Sequence, residues 1–105
     1  MNKTKRKPYV SAEPFFKKAM KNRELKILYE EEMAKMDIAN AVRTARAHAH
    51  LTQAALAKKI GTSQSMVARL ESGMDERTPT LPLLARIAAT CGGRLELGFR
   101  FKHAS

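Results

Sequence analysis

Apolar residues recur at spacings of three and four along most of this chain. Leu25, Leu28, Tyr29, Met33 and Met36 mark one face of an amphipathic helix over residues 22–37, with Asn22 as its N-cap and Glu30, Glu31, Glu32 and Lys35 on the opposite face. The period resumes through Ile38, Val42, Ala45 and Ala49, which fits either one long helix or two with a joint near Asp37. Thr52 then caps a short helix with Ala55, Leu56 and Ile60 inward, and Gly61 ends it by supplying a left-handed residue. Ser63 caps the next, whose inward positions are Met66, Val67 and Leu70 and whose stop is Gly73. After a loop over 74–79, Thr80 caps a helix with Pro82 in its tolerated first turn and Leu83, Leu84, Ile87 and Ala88 inward, stopped by Gly92 and Gly93.

The period changes at the carboxyl end. RLELGFRFK alternates strictly, with Leu95, Leu97, Phe99 and Phe101 on one face and Arg94, Glu96, Arg100 and Lys102 on the other, which predicts a strand. No second strand signal exists in the chain, so the edge of this one needs a partner. A twofold copy of itself is the nearest, making those four residues candidates for dimerisation; a protein partner is the rival. The division expected is a basic tail over 1–21, a helix over 22–37 available to a partner, a helical domain over 38–91, and a dimerising strand over 92–105.

A chain of 105 residues holds one small core and an appendage. Twenty basic against ten acidic side chains give a formal charge of +10, the electrostatic footprint of a protein that meets phosphate. Residues 1–23 carry +7 of it, leaving about +3 for the rest. That basic segment reads as an arm along a nucleic-acid backbone, a partner-binding element or a solubilising extension. Residues 1–14 show no apolar period and read as unordered when unbound; the adjacent Phe15 and Phe16 suit either a short docking element or a local hydrophobic cluster.

Other chemistry is excluded. Cys91 is the one cysteine and has no partner for a disulfide or a zinc site, which fits a reducing cytosol. No apolar run approaches the ~18 residues that span a bilayer, and no signal-peptide core follows the basic start, so the reading is soluble and cytoplasmic, with no membrane partner. His48 and His50 point to different sides of a helix and His103 lies near the terminus, so no metal site and no cofactor is expected. No catalytic constellation is present either, Glu30 to Glu32 reading as a solvated face and the methionines Met20, Met33, Met36 and Met66 as core or interface filler; the chain reads as a non-enzyme.

Across residues 38–90 the chain resembles the Xre family, the helix-turn-helix proteins of the phage repressor and Cro type. The resemblance rests on Thr52-Gln53, Leu56-Ala57, Gly61, Ser63-Gln64-Ser65 and Arg69-Leu70-Glu71-Ser72-Gly73, which agree in one register. It implies an all-α fold: a five-helix repressor-like domain with a long amphipathic N-terminal helix, to which the strand pattern adds one C-terminal β-strand pairing across a homodimer. It also implies that the helix after Gly61 enters the major groove of double-stranded operator DNA by its amino end, two copies reading an inverted repeat. On that pattern Gln64 is the leading base reader, since a carboxamide can pair with adenine, with Ser63, Ser65 and Arg69 beside it. Arg69 suits guanine or a phosphate, and a merely solvated Gln64 is the plain alternative. Gln53 is expected on a phosphate, bracing Gln64, with Thr52, Lys58 and Arg77 as further phosphate contacts; helix capping is the plain reading of Thr52 and Gln53. Arg46 and Glu71 fall where similar proteins form a structural ion pair.

Two departures stand out: the loop after Gly73 reads Met74-Asp75-Glu76-Arg77 where the family is often rich in lysine and arginine, and a strand pattern stands where phage repressors carry a helix. Over almost its whole length the chain is similar to HigA-type antitoxins, which bind a small RelE-like ribonuclease toxin and repress their own operon. That resemblance makes Tyr9, Phe15, Phe16, Leu25, Leu28 and Tyr29 candidate toxin contacts, although a net basic antitoxin is an awkward match for toxins that are usually basic. The rival readings are a free-standing phage-type regulator whose N-terminal tail is a DNA arm, and a protein-binding adaptor that has kept the fold alone.

Overall fold

The structure, a computed structural model, describes residues 13–75 and 77–101, leaving aside the side chains of Glu13, Phe15, Phe16 and Ala19. Five helices follow one another: α1 (Glu13–Met20), α2 (Arg23–His48), α3 (Gln53–Ile60), α4 (Gln64–Ser72) and α5 (Leu81–Thr90). The chain divides into two compact units, Met1–Met33 and Ala34–Ser105.

In the first unit, α1 lies within the span read as a tail. The side chain of Asn22 accepts from the backbone N–H groups of Glu24 and Leu25, at 2.9 and 3.2 Å, and so caps the start of α2. Leu25, Ile27, Leu28, Tyr29 and Met33 are exposed along it. Tyr9 and the side chains of Phe15 and Phe16 lie outside the described residues.

The second unit holds the core. Val42 of α2, Leu56, Ala57 and Ile60 of α3, Val67 and Leu70 of α4, Ile87 of α5 and Cys91 form one buried cluster, with Ile38, Ala45, Ala49, Leu51, Leu83 and Leu84 packed against it. α3 lies between α4 and α5 and contacts both. Burial pushes the Cys91 thiol up, which keeps it protonated and inert.

Two expectations are corrected here. The repressor-like unit contains four helices and not five, the carboxyl part of α2 with α3, α4 and α5; of the two readings left open for residues 22–50, the single long helix forms, unbroken over residues 23–48. No glycine or proline interrupts that stretch, so nothing ends its hydrogen-bond ladder. The terminal strand does not form: residues 93–101 are neither helix nor strand, and the described residues contain no strand at all. An alternating pattern sets which side chains would share a face, but a ladder requires a second backbone, and a single chain with one such segment supplies none. Leu97, Phe99 and Phe101 are accordingly left exposed, Phe99 at 91%.

Candidate nucleic-acid interface

The turn between α3 and α4 is built from local bonds. Gly61, at φ +77°, is the left-handed residue; its N–H donates to Lys58 O and the next N–H, of Thr62, reaches back to Ala57 O at 2.9 Å. This is a Schellman closure, which terminates α3 and leaves three residues before α4 begins. The Ser63 hydroxyl accepts from the Met66 N–H at 3.1 Å and starts α4, as Thr52 accepts from Ala55 N–H at 3.0 Å and starts α3.

Glu71 fixes α4 against its neighbours. Only 4% exposed, its carboxylate accepts from Arg46 Nε at 2.6 Å and Nη2 at 2.9 Å, a two-pronged pair, and from Gln53 Nε2 at 3.1 Å. Arg43 Nη1 donates to the Glu71 carbonyl, and Arg46 Nη1 donates to Leu51 O at 3.0 Å. α2, α3 and α4 are thus joined at one carboxylate. Burial pushes the Glu71 carboxyl up, yet the hydrogen bonds from Arg46 and Gln53 and the charges of Arg46 and Arg43 outweigh it, leaving its pKa below the ordinary value. The bond to Glu71 raises that of Arg46.

With α4 held by its inner face, its outer face carries the residues singled out for base contact. Ser63, Gln64, Ser65 and Arg69 are all exposed; Ser65 and Arg69 stand one turn apart, with Gln64 beside them at the amino end. The arrangement presents a carboxamide, two hydroxyls and a guanidinium, a donor and acceptor set suited to base edges. Thr52, Lys58 and Arg77 are also exposed, whereas Gln53 is partly buried with its amide spent on Glu71.

Asp75, in the loop after α4, went unmarked among the sequence candidates. Its Oδ1 accepts from the Arg77 N–H at 3.0 Å and lies 3.5 Å from Arg77 Nε, while its Oδ2 lies 3.8 Å from Arg69 Nε. The backbone bond from Arg77, aided by the charges of Arg77 and Arg69, holds its carboxyl below the usual range. Arg43 and Arg86, the latter donating from Nη1 to Ile60 O at 3.4 Å, were also missed; each serves the carbonyl end of a short helix, a role that depends on tertiary approach. Among the described residues no group of acidic, histidine or cysteine side chains could hold a metal, and no helix is long and apolar enough to cross a membrane.

A helix-turn-helix family model matches residues 42–97, just over half of the chain. The protein belongs to the helix-turn-helix family, whose members are DNA-binding transcription regulators. No curated protein and no solved structure matched it significantly.

Proposed function

We propose that the protein is a sequence-specific repressor that reads an inverted-repeat operator as a homodimer and doubles as the antitoxin of a small ribonuclease toxin. The observation that carries DNA reading is the polarity of α4: its inner face is pinned through Glu71, while Gln64, Ser65 and Arg69 face solvent. Gel shifts on the protein's own promoter test it. Gln64→Ala and Arg69→Ala should each weaken operator binding by about 1 to 3 kcal/mol and relax the preference at one base pair, whereas Lys58→Ala should weaken all sequences alike. Unchanged affinity and preference in the first two would remove the reading.

The antitoxin role is supported by large apolar side chains exposed on α2 outside the matched domain, Leu25, Ile27, Leu28, Tyr29 and Met33, a concentration that suits a protein partner. Full-length protein with Leu25→Glu and Leu28→Glu should keep its operator affinity and lose a small basic protein encoded beside it. Loss of operator affinity with no such partner would favour the free-standing regulator, in which the basic segment contacts DNA.

A further inference from the structure

We infer that Asp75 is a fixed counter-charge within the DNA-contacting surface, holding down sequence-independent affinity by standing between Arg69 and Arg77 where a backbone phosphate would otherwise be bracketed. The inference rests on the reading of α4 and Arg77 as DNA-facing. Its basis is the difference in how firmly the three side chains are held. Asp75 is 17% exposed and tied at 3.0 Å to the Arg77 backbone N–H, an Asx-type turn that sets the carboxylate in place. The two arginines are loose, with Arg69 48% and Arg77 71% exposed and their Nε atoms 3.8 and 3.5 Å from separate carboxylate oxygens. Exposed pairs of this kind hold weakly, so both guanidinium groups are free to turn toward DNA while the carboxylate stays. A phosphate entering between Arg69 and Arg77 then meets, among the described residues, the Asp75 carboxylate beside those two guanidinium groups. Because that repulsion is felt on any sequence, it lowers non-specific and operator binding together, while base contacts by Gln64 are untouched.

The test is a salt titration of the full chain on its operator and on an unrelated duplex, with wild type, Asp75→Asn and Asp75→Glu. Asparagine keeps an acceptor for the Arg77 N–H and removes the charge; glutamate keeps the charge. Asp75→Asn should tighten the unrelated duplex about five-fold at low salt, the scale of one unit charge near a phosphate, and steepen the slope of log affinity against log salt by roughly 0.9. Asp75→Glu should stay near wild type. Equal affinity and slope for Asp75→Asn and wild type overturns the role of Asp75. Arg69→Ala and Arg77→Ala separate that failure from a deeper one: if they flatten the wild-type slope while Asp75→Asn does nothing, Asp75 alone is dismissed. If they too leave the slope unchanged, and Arg69→Ala also leaves the sequence preference unchanged, the DNA-facing reading falls with it.

Discussion

Glu71 shows how one side chain organises the recognition helix. Replacing it by alanine would leave Arg46 uncompensated, a change that costs about 3 to 5 kcal/mol for a buried pair; Arg46 is 22% exposed, which places the expected loss near the lower figure in urea unfolding. DNA binding would fall as well, through unfolding, so it is to be read beside circular dichroism. The depressed pKa of Glu71 sets a pH dependence. A carboxyl lowered in the folded state contributes stability above the ordinary glutamate pKa of about 4.3 and loses it as pH falls through the folded value, so acid unfolding should be shallower in Glu71→Gln than in wild type. Two glycines separate conformation from space. Both are left-handed, at φ +77° for Gly61 and +71° for Gly73, but a Cβ on Gly61 meets nothing within 4 Å whereas one on Gly73 comes to 2.5 Å from Met36 Sδ. Gly61→Ala should cost about 1 kcal/mol, and Gly73→Ala more, about 2, with part of the difference recovered in a Met36→Ala background.

Among the elements, three helices stop by the same device. α3 closes on Gly61 and α5 on Gly92, where Gly93 N–H reaches Ala88 O at 2.8 Å. α2 closes likewise, Leu51 N–H reaching Arg46 O at 3.1 Å, but the left-handed residue is His50 at φ +58°. His50→Gly should therefore stabilise the protein by about 0.5 to 1 kcal/mol in thermal unfolding, the reverse of the usual effect of glycine. Ser63→Ala should cost about 1 kcal/mol through loss of the cap on α4. The starts of α3, α4 and α5 and the stops at Gly61 and Gly73 were legible because a capping hydroxyl or a left-handed glycine acts on neighbours along the chain. The end of α2 was not, since histidine carries no such signal.

For the molecule as a whole, the helix-turn-helix match over residues 42–97 and the exposed face of α4 lie in the second unit, while the proposed partner and dimer roles rest on exposed apolar side chains, Leu25 and Leu28 in α2 and Leu97, Phe99 and Phe101 after α5. If those three terminal residues are buried in a dimer, Leu97→Ser with Phe99→Ser and Phe101→Ser should turn a dimer into a monomer in sedimentation and weaken binding to an inverted repeat more than to a half-site. The sequence by itself determined the helix starts, the glycine turn, the inward positions Val42, Leu56, Ile60, Val67, Leu70 and Ile87, and the outward Gln64 and Arg69, because periodicity and capping are properties of neighbouring residues. Tertiary structure alone decided that Gln53 turns to Glu71, that Arg43 and Arg86 serve helix ends, that Asp75 stands between two arginines, and that the alternating tail forms no strand. Each of these depends on a backbone or charge brought close from a distant or looped part of the chain, or on a partner strand that one copy does not possess.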